Sequence, residues 1–343
     1  MTSIPIYKGK PTVYLDHNIL DCFTKYGLGE LGQNLVDDYQ VVYSDETLKE
    51  IRRSKGFENN FLSTLKELNA YHLTLILDQP NFTMTDKAKI AERDPYVIFN
   101  EYCKSSDDGV DLSYSIQQFG LKFSGGRKGD SFHDIHNEQI SAFSQLLDSI
   151  TNISDDLPQE VQSQLERSVK DIKTIYKETL NKTESLLLEN IEDDKNWNGI
   201  KDFRTDTGIK PIHLNNIEPP NVLVKIWEKF KELPLYSESD IDDFFNLKIN
   251  RLNPEQEYFN YQKVLNIYNL LNTFGYHPDT KLHQEGRYIA AASDNNHASF
   301  ASFCDLLLSN DERFIKKTAA AYEYLGIPTI VKHVVFKYES PEE

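Results

Sequence analysis

Carboxylate side chains follow short apolar runs or open helical patterns at both ends of this 343-residue chain. The acids concerned are Asp16, Glu46, Glu50, Asp294 and Asp311. Carboxylates gathered in surroundings of low dielectric constant repel one another unless they share a cation. Oxygen ligands without clustered Cys or His suit Mg²⁺ or Mn²⁺ better than zinc. The residue types therefore predict a site for one or two divalent cations.

These acids meet only if the chain forms a parallel α/β sheet. Strand patterns at 12–15, 41–43, 72–77 and 305–309 alternate with helical patterns, which favours parallel strands joined by helical crossovers. Ligands bind such sheets outside the carboxyl ends of the strands, where Asp16 and Asp311 stand. Ser293 resembles an N-cap, so we expect Asp294 to open a helix.

Strand patterns largely disappear between the two ends. Long stretches of this middle part, at 155–192 and 254–274, carry apolar residues at intervals of three or four, which is typical of amphipathic helices. The sequence thus predicts a discontinuous α/β domain, 1–79 and 280–343. A mostly helical insertion, 80–279, would interrupt it.

Composition narrows the classes of function. The formal net charge is −17 and the isoelectric point is near 5.0, which argues against nucleic-acid binding by a broad basic surface. Contacts to a nucleic-acid backbone would use small basic spots such as Arg52–Arg53 and Lys316–Lys317. An odd number of Cys without C-x-x-C spacing, and the lack of a long apolar run, predict a cytoplasmic protein without a membrane span.

Asp16, Glu50, Asp294 and Asp311 are the main candidates, and five residues are accessory candidates: Asn18, Glu46, His297, Asp305 and Asn310. Glu46 is the alternative to Glu50 as the second acid, because it lies one turn earlier on the same helix face. His297 shares a helix face with Asp294, where it would hold a phosphate or an outer-shell water. Asn310 would donate to a carboxylate or to a metal-bound water. Taken singly, each acid also fits an ordinary turn or helix cap.

Three segments carry a resemblance to a known family. "YLDHNIL" at 14–20, "YSDETLKEI" at 43–51 and the stretch 293–327, which contains "LLLSNDERF", together resemble the PIN-domain nucleases. Position by position, Asp16 resembles the first acid of that family, Glu50 the second, Asp294 the third and Asp311 the fourth. The resemblance covers the two ends of the chain and leaves out the middle.

The resemblance implies a PIN-like parallel sheet flanked by helices, and a metal-dependent endoribonuclease. The four acids would act as catalytic residues and as ligands of one or two Mg²⁺ or Mn²⁺ ions. The substrate would be single-stranded or structured RNA, such as tRNA. Family precedent also suggests a toxin or defence effector, with a regulatory protein partner or a homo-oligomer.

Other functions remain open. A structure-specific DNA nuclease of related fold is compatible with the long insertion. A PIN-like scaffold that binds RNA or protein without cleaving is a second alternative. A phosphatase of the haloacid-dehalogenase type also begins with an apolar strand and an Asp, but it normally needs a second Asp where this chain has Asn18.

Overall fold

The computed structural model describes residues 7–78, 83–107, 112–152, 158–248 and 256–336. The chain divides into two compact units. The first comprises Met1–Cys103, Thr207–Asp279 and Ala290–Glu343, and the second comprises Lys104–Asp206 and Thr280–Ile289. The central sheet and every candidate site residue belong to the first unit.

The first unit is built on a six-stranded sheet. Its strands are β1 (Thr12–Leu15), β2 (Gln40–Ser44), β3 (Tyr71–Asp78), β4 (Thr83–Ala91), β5 (Leu306–Ser309) and β6 (Ile330–His333). Their spatial order is β4-β3-β2-β1-β5-β6, and all neighbouring pairs are parallel except β3 with β4. The predicted α/β class, with a mostly parallel sheet flanked by helices, is confirmed.

Helices make up most of the remaining described chain. They are α1 (His17–Tyr26), α2 (Gly29–Asp38), α3 (Asp45–Arg53), α4 (Glu58–Glu67), α5 (Pro95–Asp107), α6 (Leu112–Phe123), α7 (Phe132–Asn152), α8 (Gln159–Leu188), α9 (Gly199–Thr207), α10 (Pro211–Leu214), α11 (Val222–Phe230), α12 (Ile241–Phe244), α13 (Asn260–Phe274), α14 (Glu285–Ala301) and α15 (Glu312–Leu325).

Successive side chains of β1 point to opposite faces of the sheet, and both faces are buried. Val13 and Leu15 join a core that includes apolar residues of α1 to α4. Tyr14, between them, contacts His297 of α14 on the other face. A parallel strand covered on both sides needs a continuous apolar run, which explains why "TVYL" lacks polar alternation.

Two details of the predicted fold are wrong, and one helix, α2 (Gly29–Asp38), was not predicted. β4 is an antiparallel edge strand inside the segment expected to be helical, because its alternating residues pair with β3. Ser293 does not begin a helix: α14 runs through it, so Asp294 lies in a helix interior and does not open a helix.

The division into units differs from the predicted boundaries of the insertion. Residues 207–279 belong to the sheet unit, because α13 and α11 both pack against α15. The second unit contains α6, α7 and α8, which pack in sequence. Of the predicted helix 254–274, residues 254 and 255 lie outside the described chain, and α13 begins at Asn260.

No helix in the described ranges is both long enough and apolar enough to span a membrane.

Candidate functional site

Asp16 lies at the carboxyl end of β1 and is held in place by two side-chain donors. Ser309, which ends β5, donates from Oγ to Asp16 Oδ2 at 2.6 Å, and Asn18 donates from Nδ2 to the same oxygen at 2.9 Å. The Asp16 side chain is buried. Burial raises the pKa of Asp16, and the neighbouring carboxylate of Glu50 adds to that rise, while His297 and Ser309 oppose it.

Asp311 lies beside Asp16 because the hydroxyl of Ser309 forms hydrogen bonds with both residues. The backbone N–H of Asp311 donates to Ser309 Oγ at 3.0 Å. Asp311 Oδ1 accepts from the N–H groups of Arg313 and Phe314, so this carboxylate is the N-cap of α15. The exposed Asn310 contacts His333 through its backbone carbonyl.

Glu50 is contacted by two histidines and an arginine. Its Oε1 accepts from Arg53 Nη2 at 2.9 Å, and its Oε2 lies 2.9 Å from His297 Nε2. His17 Nδ1 is 3.3 Å from the same Oε2. Burial alone would raise the pKa of Glu50, but His297, His17 and Arg53 lower it to about 2. The structure thus presents Glu50 as an ionised carboxylate whose two oxygens are engaged.

Glu46, the alternative second acid, is also engaged at both oxygens. Ser293 donates to its Oε1 at 2.6 Å, and Asn296 donates to its Oε2 at 2.9 Å. Lys49 lies 3.7 Å from Oε1. The carboxylates of Glu46 and Glu50 on α3 therefore both contact side chains of α14.

His297 is fully buried, and both of its ring nitrogens have partners. Nε2 faces Glu50, and Nδ1 lies 2.7 Å from the hydroxyl of Tyr14, which is in turn 2.7 Å from Ser44 Oγ. Burial would lower the pKa of His297, but Tyr14 and Glu50 raise it well above its ordinary value. The expectation that His297 contacts a phosphate is wrong, because its ring has no exposed nitrogen.

Asp294 lies on α14 within electrostatic reach of the other acids. Burial raises its pKa well above the ordinary value, and the charges of Asp16 and Asp279 raise it further, while Lys317 opposes them. A carboxylate in that position is costly to ionise without a nearby cation.

Lys317 is buried within the fold, so the expectation that it forms part of a basic surface spot is wrong. Its ammonium lies 2.7 Å from Asp279 Oδ1, donates to Asn272 Oδ1 at 2.9 Å and sits 4.2 Å from the ring centre of Tyr268. These contacts tie α15 to α13 and to the segment after it. Lys317 cannot contact a substrate from this position.

Asp305 lies away from the other acids. It precedes β5, and its Oδ2 accepts from the N–H and the hydroxyl of Thr12 at 2.7 and 2.8 Å. Thr12 begins β1, so this contact is at the amino edge of the parallel strands, opposite Asp16. The structure therefore gives Asp305 a structural contact and does not bring it to the site.

The three aspartates differ from the two glutamates because they have carboxylate oxygens that accept no hydrogen bond from the described residues. Within the described chain, Asp16 Oδ1 and Asp311 Oδ2 accept no hydrogen bond, and neither oxygen of Asp294 does. No three His, Cys, Asp or Glu side chains of the described ranges are already arranged around one ion position. A cation would thus find free oxygens whose side chains must still converge.

Several site residues were not identified from the sequence. Ser309 was read only as the end of a strand, although it links Asp16 to Asp311. Tyr14 and Ser293 were read as strand and cap residues, although they contact His297 and Glu46. The Ser-Asn-Asp order after an apolar strand was the available signal for Ser309. Nothing in the local sequence around Tyr14 indicates a partner 283 positions away.

Comparison with protein-family models, with curated proteins and with solved structures gives no match.

Proposed function

We propose that this chain is a metal-dependent endoribonuclease of PIN-like fold that hydrolyses RNA phosphodiesters. The observation that carries the proposal is the Ser309 hydroxyl, which joins Asp16 to the backbone of Asp311 at the carboxyl edge of β1 and β5. Asp294 adds a third acid within electrostatic reach. Asp16 and Asp311 have open oxygens at this edge of a parallel sheet, which is where ligands bind such sheets, and Asp294 is the third acid that a cation there would use.

The donor chemistry fits Mg²⁺ or Mn²⁺. Carboxylate oxygens of Asp16, Asp294 and Asp311 are hard ligands, and such sites suit these ions. Glu50 is the fourth predicted ligand, but its oxygens already face Arg53 and His297, whose positive charge opposes a further cation beside them. We therefore assign the three aspartates to the ion and place Glu50 beside it.

When bound, a divalent ion supplies an activated water and neutralises charge that develops on the scissile phosphate. The chain's own residues do the positioning. Ser309 and Asn18 fix one oxygen of Asp16 and leave the other open. The α15 N-cap contacts hold Asp311 in the same way. Burial excludes water from the inner side of the group.

Incubation of the purified chain with labelled RNA and DNA oligonucleotides tests this proposal. We expect cleavage of single-stranded or structured RNA with Mn²⁺ or Mg²⁺, and no cleavage with chelator. Asp16→Asn and Asp311→Asn should both abolish it while the circular dichroism spectrum stays unchanged. Metal-independent cleavage, or full activity in both variants, would contradict the site. Cleavage of DNA alone would favour the structure-specific DNA nuclease.

A non-catalytic scaffold is the second candidate. It is favoured by one observation, the engagement of both oxygens of Glu46 and of Glu50 by protein donors. In that case RNA or a partner protein would bind without being cut, with or without metal. A role as a toxin or defence effector, controlled by a protein partner or by self-association, belongs to the nuclease proposal.

A further inference from the structure

Arg53 is anchored beside the candidate site by one nitrogen only. Its Nη2 donates to Glu50 Oε1 at 2.9 Å and to Ser293 Oγ at 3.1 Å. These two bonds join the end of α3 to the middle of α14. The guanidinium is therefore fixed in place on the rim of the acidic group.

The other side of this guanidinium is open. Nε and Nη1 of Arg53 donate no hydrogen bond to any residue in the ranges that the structure describes. The side chain is 36% exposed. Three N–H donors of a permanently charged group are thus left for an acceptor from outside the chain.

We infer that Arg53 binds a backbone phosphate of a single-stranded polynucleotide next to the three aspartates. The inference rests on the proposed function and names the protein group that positions its substrate. A chain of net charge −17 repels a polyanion, so a productive complex needs local cations. Arginine is suited to this contact because its planar fork matches the geometry of phosphate oxygens.

The hydrogen bond to Glu50 fixes the position of the Arg53 guanidinium before a phosphate binds. An arginine that is already held by two bonds loses less side-chain freedom when it binds a phosphate than a free one does. The same anchor offers an alternative role, in which Arg53 only holds Glu50 in position. The two roles predict different measurements, because only a phosphate contact releases counterions from the nucleic acid.

The test compares Arg53→Gln with Arg93→Gln in the Asp16→Asn background, where cleavage is blocked. Arg93 is a matched control: it pairs with Glu101 at 3.1 Å and follows β4, the edge strand that β3 and β2 separate from β1. Binding of a fluorescent single-stranded RNA oligonucleotide is measured by anisotropy over a range of salt concentrations with Mn²⁺ present.

We expect Arg53→Gln to weaken binding about tenfold, the loss of one charge-assisted contact. The slope of log affinity against log salt should become shallower by about 0.7, the value for one phosphate on a single strand. Arg53→Lys should keep the slope and part of the affinity. Arg93→Gln should keep both.

Two results would overturn the inference. One is an Arg53→Gln variant with the affinity and slope of Arg93→Gln. The other is a lower kcat, with KM and the salt slope unchanged, in a chain whose only substitution is Arg53→Gln. That outcome would assign Arg53 to holding Glu50 in position. A chain that neither binds nor cleaves RNA would instead remove the proposed function itself, so the two failures are distinguishable.

Discussion

Ser309 Oγ donates a 2.6 Å hydrogen bond to Asp16 Oδ2, although 293 positions separate the two residues in the sequence. The pairing of β1 with β5 makes this contact, because both strands end at the same edge. The same hydroxyl accepts the N–H of Asp311. One side chain thus sets the relative positions of two acids from opposite ends of the chain.

Ser309→Ala should therefore lower cleavage without removing an acid. Asp16 would lose one of its two donors, and the Asp311 N–H would lose its acceptor. We expect kcat to fall about tenfold or more, the effect of misplacing a group that holds the reacting centre. Rates at saturating RNA and Mn²⁺ provide the measurement. Ser309→Thr keeps the hydroxyl and should restore the rate, and equal loss in both variants would show that the hydroxyl is not responsible.

Asp294→Asn should stabilise the protein at neutral pH in the presence of chelator. The folded pKa of Asp294 lies above its unfolded value. Its contribution to stability is then fully present below the unfolded pKa, and it is lost as pH rises through the folded pKa. The amide carries no charge, so the variant should gain stability over the unaltered chain as pH rises above about 4, the ordinary pKa of Asp.

Urea unfolding at several pH values measures this difference. Asp38→Asn, which changes an exposed carboxylate at the end of α2, is the matched control and should follow the unaltered chain. Mn²⁺ should raise the melting temperature of the unaltered chain more than that of Asp294→Asn. A gain in stability that does not vary with pH would contradict the assigned pKa direction.

Asp305→Ala should cost stability and leave cleavage intact. The substitution removes the acceptor of the Thr12 N–H and hydroxyl, a loss of about 1–3 kcal/mol. The site at the carboxyl edge keeps all of its contacts. The free energy of unfolding and the rate of RNA cleavage below the lowered melting temperature are the two measurements. Loss of cleavage in a folded Asp305→Ala variant would show that Asp305 belongs to the functional site.

Local patterns predicted much of the sheet and part of the site. β1, β2 and β5 carry apolar runs that end in polar residues, and α15 ends at Gly326, which adopts the left-handed conformation that glycine favours. Such signals lie within a few residues of the feature that they indicate. The positions of Asp16 and Asp311 followed from the parallel order of the strands.

The rest of the site depended on contacts between distant segments. The helix signal at Ser293 failed because Ser293 donates to Glu46 and α14 passes through it. Lys317 was read as surface charge because its partner, Asp279, lies on another segment. The engagement of Glu50 by His297 joins residues 247 positions apart. No spacing rule along one helix or strand reports such pairs.

Glu50→Gln should make the protein less sensitive to acid. The folded pKa of Glu50 is about 2, below its ordinary value of 4.5. Its ionised form therefore contributes stability above the unfolded pKa, and that contribution is lost as pH falls from 4.5 towards 2. The full contribution is on the order of 3 kcal/mol.

Unfolding free energies at pH 5 and at pH 3 should thus differ more in the unaltered chain than in Glu50→Gln. At pH 5 the variant should be the less stable of the two, because His297 and Arg53 lose their anionic partner. Glu67→Gln, at an exposed position of α4, provides the comparison for an ordinary carboxylate and should keep the acid sensitivity of the unaltered chain. If the unfolding free energy had the same pH dependence in all three proteins, Glu50 would not be held as an ion pair. Its carboxylate would then be free to join those of the three aspartates.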